Sequence, residues 1–171
     1  MQTEDIRKNI LEKAEALGWQ IATAESCTGG MIATRLTDPA GASASVAGGL
    51  VTYSNQLKMA LLDVPPATLE TYGAVSDETV TAMARGCLNK TSAQLAVSVS
   101  GVAGPGGGTD EKPVGIVHFA VLAEGDNTAS CARVIFDGDR NDVREMATEY
   151  ALGLLADKLD KATRAQQEAT G

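Results

Sequence analysis

Hydrophobic and polar residues follow two different periods along the chain, and these periods predict its secondary structure. Short apolar segments typical of β-strands lie at 20–25, 48–54, 93–100, 114–123 and 129–136. Apolar residues recur at helical spacing in 3–18, 29–38, 55–63, 66–73, 76–90 and 138–161, and many of these segments are bounded by Gly, Pro, Ser or Asp. Residues 162–171 lack a sustained apolar stripe, so a frayed C-terminal tail is expected over 161–171.

The order of these elements indicates the fold class. Helices separate the first strands, whereas the last two strands follow one another and suggest a hairpin. This arrangement is typical of an α/β protein, a three-layer α/β/α sandwich with a mixed sheet. A chain of 171 residues is long enough for one hydrophobic core, so a single domain over 1–160 is expected.

Composition narrows the classes of function. The net charge is −8, from 22 acidic and 14 basic residues, which disfavours a nucleic-acid-binding protein. Three cysteines without a C-x-x-C pair and a single histidine, His118, disfavour a zinc site and a Ser-His-Asp triad. No cofactor or metal is expected. The polar N-terminus and the lack of an apolar run of ~20 residues predict a cytoplasmic protein without a membrane span.

Three polar or glycine-rich loops follow predicted strands, at 25–30, 53–58 and 100–113. In open α/β sheets, ligands bind where loops leave the carboxyl ends of the strands. These loops are therefore the first place to search for a functional site.

The segment AESCTGG contains the first candidate, Ser26. A hydroxyl between a strand and paired glycines is either a helix cap or a nucleophile beside backbone N–H groups that stabilise an oxyanion. Lys58 is a candidate base if desolvation lowers its pKa, and Tyr53 is a candidate to relay the proton or hold the hydroxyl. The competing interpretation has Tyr53 half-buried and Lys58 solvated. Cys27 is a rival nucleophile if its pKa is lowered.

The glycine-rich segment SGVAGPGGGTDEKP also has two interpretations. It is either a flexible connector or a turn that offers backbone N–H groups to an anion such as phosphate. In the second case Thr109, Lys112 and Arg140 are candidates to add side-chain contacts. Arg140 is alternatively an ion-pair partner of a neighbouring aspartate.

Taken together, AESCTGG, YSNQLK, SGVAGPGGGTDEKPVG and the GDR that opens the last helix resemble the CinA C-terminal-type domain. The stand-alone members of this family include nicotinamide-nucleotide amidases. The resemblance implies a three-layer α/β fold and hydrolysis of the carboxamide of nicotinamide mononucleotide to nicotinate mononucleotide and ammonia, in pyridine-nucleotide salvage. The alternative is a non-catalytic module that binds nucleotides with the same loops.

The resemblance also implies residue roles. Ser26 becomes the nucleophile, and Tyr53 and Lys58 complete the apparatus, with the choice of base between them left open. The expected oxyanion and substrate-binding residues are Thr28, Gly29, Gly30, Ser100, Gly101, Gly104, Gly106, Gly107, Thr109 and Arg140. The expected partners are a pyridine-nucleotide substrate and a second copy of the chain in a homo-oligomer, with a dimer favoured.

Overall fold

A computed structural model describes residues 3–171, with side chains described from residue 6 onward. The strands are β1 (Ile21–Glu25), β2 (Val46–Val51), β3 (Leu95–Gly101), β4 (Ile116–Ala123) and β5 (Ser130–Ile135). The helices are α1 (Thr3–Leu17), α2 (Met31–Thr37), α3 (Asn55–Leu62), α4 (Pro66–Tyr72), α5 (Asp77–Thr91) and α6 (Arg140–Thr170). A single 3₁₀ turn, Ala42–Ala44, precedes β2.

The strands form one mixed sheet in the order β2-β1-β3-β4-β5. Strands β2, β1 and β3 are parallel, and helices connect them. Strands β3, β4 and β5 are antiparallel neighbours, so the predicted hairpin is confirmed. The parallel part brings the carboxyl ends of β1, β2 and β3 to one edge of the sheet.

Each face of the sheet is covered by its own hydrophobic core. On one face, Leu95, Val97 and Val99 of β3 pack in a cluster that includes residues of α1, α2 and α6. On the other face, Ala22 and Ala24 of β1 pack in a cluster that includes residues of α3, α4 and α5. Small residues on this second face let the helices approach the sheet closely. The three-layer α/β/α sandwich with a mixed sheet is therefore confirmed.

The C-terminal segment differs from its prediction. Helix α6 continues through Thr170, where the sequence predicts a frayed tail from residue 161. Residues 164–171 are exposed, so this part of the helix rests on local propensity rather than on core packing. The segment is rich in Ala, Arg, Gln and Glu, which are strong helix formers, and its only glycine is the last residue. The missing apolar stripe therefore indicated that the end of α6 is exposed to solvent, and not that this segment is not helical.

Candidate active site

A pocket of about 250 Å³ lies where β1, β2 and β3 end. Its lining residues come from all three of the loops that the sequence singles out, together with the α4–α5 connection and the start of α6. They are Ser26, Cys27, Tyr53, Lys58, Ala74, Val75, Ser100, Gly101, Ala103 and Arg140. The three loops that the sequence singles out therefore meet at one pocket.

The turn that carries Ser26 is held by a buried carboxylate directly before it. Glu25 is fully buried and accepts hydrogen bonds from Thr23 Oγ1 (3.0 Å) and Thr28 Oγ1 (2.7 Å). It also accepts from the backbone N–H groups of Ile32 (2.9 Å) and Ala33 (3.0 Å) in the first turn of α2. Helix α2 has no side-chain cap at Gly30, so Glu25 supplies the acceptors that its N-terminus needs.

Glu25→Gln is expected to lower the free energy of unfolding by about 1–3 kcal/mol, because an amide keeps one acceptor oxygen and leaves two of the four donors without a partner. Urea unfolding measures the change. Glu12→Gln, at an exposed position on α1, is the matched control and is expected to stay within about 0.5 kcal/mol of the wild type. Equal unfolding midpoints for both variants would contradict this role of Glu25.

Lys58 lies in the interior of the protein with only 1% of its surface exposed. Ser54 caps α3 by accepting from Leu57 N–H at 3.1 Å, and this fixes the helix that carries the lysine. From there Lys58 Nζ lies 3.1 Å from Ser26 Oγ, 2.8 Å from Thr52 O and 3.3 Å from Tyr53 O. The solvated-lysine interpretation is therefore wrong, and the amine lies next to the candidate nucleophile.

Burial lowers the pKa of Lys58 from 10.5 to about 8, against a smaller opposing effect of Cys27. Nζ donates to the carbonyls of Thr52 and Tyr53 and to the Ser26 hydroxyl, three contacts that match the three N–H groups of an ammonium. When Nζ loses one proton, the two carbonyls still accept its remaining N–H groups, and its lone pair faces the Ser26 hydroxyl, the arrangement that proton abstraction requires.

The same pKa difference predicts how stability depends on pH. Between pH 8 and 10.5 the unfolded chain binds a proton at Lys58 that the folded protein does not, so its unfolding free energy rises with pH. Relative to Lys58→Met, the wild type is expected to gain up to about 3 kcal/mol across this window. Urea unfolding of both proteins at several pH values between 7.5 and 10.5 measures the difference. A difference that stays constant or falls with pH would contradict the buried, low-pKa lysine.

Cys27 lies beside Ser26 but has the wrong protonation state for a nucleophile. It is 6% exposed, and desolvation raises its pKa from 9.0 to about 12. At neutral pH it is a thiol, and the thiolate is the reactive form. The prediction of a lowered pKa for this rival is therefore wrong. His118 is paired with Asp77 at 2.7 Å and lies outside the pocket lining, as its mid-strand position suggests.

Tyr53 contributes its backbone carbonyl to the pair of Ser26 and Lys58, and its phenol points elsewhere. The carbonyl accepts from Lys58 Nζ and lies 3.5 Å from Ser26 Oγ. The side chain is 61% exposed, and its hydroxyl accepts from Arg140 Nη2 at 3.3 Å. The prediction that the phenol contacts the serine hydroxyl needs correction, because the chain turns into α3 directly after the carbonyl. Arg140 also donates to Gly104 O at 2.9 Å, so it does not form the predicted ion pair.

The backbone N–H groups of the turn at residues 26–30 differ in whether they already donate a hydrogen bond within the protein. Gly29 N–H donates to Ser26 O at 3.0 Å and closes the turn, so its prediction as an oxyanion donor needs correction. Ser26 N–H donates to Val99 O at 3.0 Å. The N–H group of Thr28 has no acceptor among the described residues, and that of Cys27 contacts only its own Sγ. Gly30 caps α2 with a positive φ of 101°, a conformation that favours glycine.

Arg144 of α6 fixes the orientation of this turn. Its Nε donates to Cys27 O at 3.0 Å, and its Nη2 lies 3.5 Å from Thr28 O. In a trans peptide the carbonyl and the following N–H point in opposite directions. Binding of Cys27 O by Arg144 therefore directs Thr28 N–H away from α6 and keeps it free.

The glycine-rich loop reaches the pocket only at its start. Ser100, which is 1% exposed, and Gly101 line the pocket. Gly104 is buried next to Arg140, whereas Gly106, Gly107 and Thr109 are exposed and outside the lining. These three residues therefore lie outside the pocket, and their contact with a ligand stays a prediction.

The rest of that loop is held away from the pocket by its own contacts. Thr109 N–H donates to Lys112 O at 2.8 Å and forms a local turn. Lys112 Nζ donates to Tyr72 O at 2.6 Å, which draws the loop towards the end of α4. Lys112 consequently serves as a tether between this loop and the end of α4.

Sequence reasoning missed Glu25 and Arg144. The signal for Glu25 was an acidic residue at the end of an otherwise apolar strand, where a charge is costly without partners. Arg144 lies one helical turn after Arg140, so both arginines lie on the same side of α6. Arg140 contacts Gly104 and Tyr53, and Arg144 contacts the turn after β1.

Within residues 6–171 no group of three or more His, Cys, Asp and Glu side chains is arranged to hold a metal ion. None of the described helices is long and apolar enough to cross a membrane.

Comparison with known proteins now identifies the family. The model of the CinA C-terminal domain matches residues 3–159. The CinA-like protein of Mycobacterium marinum is 51% identical over 137 residues, which cover 80% of this chain and 32% of that protein. A putative competence-damage inducible protein of Alkaliphilus metalliredigens is 45% identical over 158 residues, covering 92% of this chain and 37% of that protein. The chain thus spans about a third of the length of the curated relatives it matches.

Solved structures give the same result. The competence/damage inducible protein CihA from Agrobacterium tumefaciens has a TM-score of 0.88 and 43% identity, covering 92% of this chain and 95% of that chain. The competence damage-inducible protein A (ComA) from Klebsiella pneumoniae has a TM-score of 0.89 and 38% identity, covering 94% and 98%. The resemblance drawn from the sequence motifs is confirmed. The chain belongs to the CinA C-terminal domain family.

Proposed function

We propose that this chain is a nicotinamide-nucleotide amidase, which hydrolyses the carboxamide of nicotinamide mononucleotide to nicotinate mononucleotide and ammonia. The observation that carries the proposal is the 3.1 Å contact between Lys58 Nζ and Ser26 Oγ at a pocket. A hydroxyl in contact with an amine of pKa about 8 is a nucleophile with its base. Family membership adds the substrate class through its amidase members.

The first half of the reaction forms an acyl-enzyme. Lys58 Nζ takes the proton of Ser26 as Oγ bonds to the carboxamide carbon, and the carbonyl oxygen becomes an oxyanion. The N–H groups of Cys27 and Thr28, which donate to no other described residue, are the donors proposed for this oxyanion, replacing Gly29 in the sequence-based assignment. The C–N bond then breaks, and the Lys58 ammonium returns its proton to the leaving nitrogen, which departs as ammonia.

The second half reverses the proton transfers with water in place of the amine. Lys58 takes a proton from water, whose oxygen attacks the ester carbon. The bond between this carbon and Ser26 Oγ breaks, and Oγ recovers its proton from Lys58. Nicotinate mononucleotide forms as the carboxylic acid and loses its proton to solvent to become the carboxylate, and both side chains return to their starting states.

Pocket size and charge suggest how the substrate is oriented. A volume of about 250 Å³ lies below the range of about 300–1,000 Å³ that is typical of pockets enclosing drug-sized ligands. We therefore propose that the pyridine ring and carboxamide enter the pocket while the ribose phosphate stays at its open side. Arg140 lies at the pocket and is exposed, so its guanidinium is available to pair with the phosphate.

Ammonia release from a panel of amides tests the proposal. Nicotinamide mononucleotide is expected to be hydrolysed faster than free nicotinamide, because only the nucleotide has a phosphate for Arg140. Calorimetric titration with nicotinamide mononucleotide provides the parallel binding measurement. A protein that binds the nucleotide but releases no ammonia from any amide would be a nucleotide-binding module and not an amidase.

A further inference from the structure

The Arg144 side chain makes its polar contacts with backbone carbonyls of the turn at residues 26–30. Nε donates to Cys27 O at 3.0 Å, and Nη2 lies 3.5 Å from Thr28 O. A Cβ atom at Gly29 would lie 3.1 Å from the same Nη2. The guanidinium therefore lies along three consecutive residues of the turn. The side chain is half-buried, so these contacts are partly shielded from water.

No carboxylate neutralises the charge of Arg144 within the part of the chain whose side chains are described. Its acidic neighbours on α6, Glu145 and Glu149, lie 2.7 and 3.8 Å from Arg35 instead. The charge also acts at the pocket. Desolvation raises the pKa of Cys27 to about 12, and the Arg144 guanidinium is among the groups that oppose this rise. Arg144 thus directs a positive charge at the backbone of the turn.

The turn itself does not need Arg144 in order to close. Gly29 N–H donates to Ser26 O at 3.0 Å without it. Cys27 O, by contrast, accepts from no other donor among the residues described. The orientation of the peptide between Cys27 and Thr28 is therefore the feature of the turn that depends on this arginine.

Helix α6 holds the guanidinium in place. Asp139 and Asp142 form a reciprocal capping box at its start, with both hydrogen bonds at 2.9 Å. Val143, directly before Arg144, is fully buried in the hydrophobic core. Arg144 consequently extends from a rigid element, as a residue that orients a reacting group must.

We propose that Arg144 is a positioning residue for amide hydrolysis, which aligns Thr28 N–H with the oxyanion by binding the carbonyl of the same peptide. A hydrogen bond from a cation to Cys27 O also polarises that peptide and makes its N–H a stronger donor. A donor that is fixed before the reaction needs no rearrangement as charge develops. Arg144 lies outside the pocket lining, so it acts through the turn. The proposal rests on the amidase function proposed above.

Arg144→Met is expected to lower kcat for nicotinamide mononucleotide by about 10- to 100-fold and to change KM by less than about 3-fold. The oxyanion forms only after the substrate is bound, so a misaligned donor costs rate and not affinity. The loss is smaller than the about 10²–10³-fold cost of removing an oxyanion donor, because the N–H remains present. Arg144→Lys keeps a cationic donor near Cys27 O and is expected to recover part of the rate.

Arg35→Met is the matched control. Arg35 also joins α2 to α6, but its partners are the side chains of Glu145 and Glu149. Its loss is expected to leave kcat unchanged. In Arg144→Met the rise of activity through an apparent pKa near 8 is expected to remain, because Arg144 is not among the groups that shift the pKa of Lys58. Damage to the fold around the site would move that titration.

Binding of 3-pyridineboronic acid, measured by calorimetric titration, is a second readout that does not need turnover. Ser26 Oγ bonds to boron and passes its proton to Lys58, which leaves a tetrahedral boronate anion in place of the oxyanion intermediate. Arg144→Met is expected to raise the Kd of this adduct by about 10- to 100-fold, in parallel with its loss of kcat. Circular dichroism establishes that the variants are folded, and Arg144→Lys supplies the same comparison if the methionine variant is not.

Wild-type values of kcat and of the boronic-acid Kd in Arg144→Met would overturn the positioning role and leave the amidase proposal intact. Equal losses in Arg144→Met and Arg35→Met would also overturn it, since both would then act by joining α2 to α6. A wild type that releases no ammonia, but binds the boronic acid more tightly than Arg144→Met does, would overturn the amidase proposal and retain the effect of Arg144 on the donor. A wild type with neither property would overturn both.

Discussion

Ser26→Ala is expected to reduce ammonia release from nicotinamide mononucleotide by at least about 10⁴-fold. The hydroxyl forms the covalent bond, and neither Lys58 nor the free N–H groups of the turn replace it. Without the Ser26 hydroxyl, Lys58 has no proton to abstract from the nucleophile, so its contribution to the rate is lost as well. The alanine side chain leaves the pocket open, so binding of the nucleotide is expected to persist in calorimetric titration.

Cys27→Ala is the matched control for this prediction. The two positions are adjacent, both line the pocket and both lose one heteroatom. Because the pKa of Cys27 is raised to about 12, its thiol is expected to contribute little, and activity is expected to stay within about 5-fold of the wild type. Loss of activity in Cys27→Ala together with retention in Ser26→Ala would transfer the nucleophile to the cysteine.

Lys58→Met is expected to lower kcat by about 10²–10⁴-fold, the usual contribution of a general base. Methionine approximates the length of the lysine stem and keeps the site apolar, so the change removes the amine with little loss of packing. Lys58→Arg keeps a positive charge at this position but removes the base, because a guanidinium does not lose its proton at these pH values. We expect the arginine variant to be as inactive as the methionine variant. An active Lys58→Arg would contradict the role of Lys58 as a base.

The dependence of kcat/KM on pH gives an independent signature of the same residue. Activity of the wild type is expected to rise with pH through an apparent pKa near 8, as Lys58 loses its proton in the free enzyme. Residual activity in Lys58→Met is expected to lack this rise. A rise that persists unchanged in the variant would assign the titration to another group.

The fold could be predicted from the sequence because helices and strands differ in the spacing of their apolar residues and in the residues at their ends. The adjacent apolar segments that became β4 and β5 indicated an antiparallel pair, and the helices between β1, β2 and β3 indicated parallel strands. The end of α6 was harder to predict. A solvent-exposed helix held by propensity has no apolar stripe, so hydrophobic periodicity does not report it.

Only part of the candidate site could be predicted from the sequence. Ser26 and Lys58 could be named from residue type and from their place after parallel strands. Burial of the lysine amine could not, because it depends on the cap at Ser54 and on carbonyls that face inward at Thr52 and Tyr53. Side-chain chemistry draws attention to the phenol of Tyr53, whereas the contacts with the nucleophile are made by its backbone.

Backbone hydrogen bonds account for the remaining differences. The N–H of Gly29 was free in the sequence-based hypothesis, and the turn uses it. The glycine-rich loop had the composition of an anion-binding loop, but its path is set by the tether from Lys112 to Tyr72. Composition describes which conformations a loop can adopt, and these tertiary contacts select one of them.

Mass spectrometry of the acid-quenched reaction tests the central claim most directly. The wild type is mixed with nicotinamide mononucleotide, quenched within the first turnover and digested. The account predicts that the peptide containing AESCTGG gains the mass of the nicotinate mononucleotide acyl group on Ser26, and that Ser26→Ala gains none. An adduct on Cys27, or ammonia release by Ser26→Ala at the wild-type rate, would contradict it.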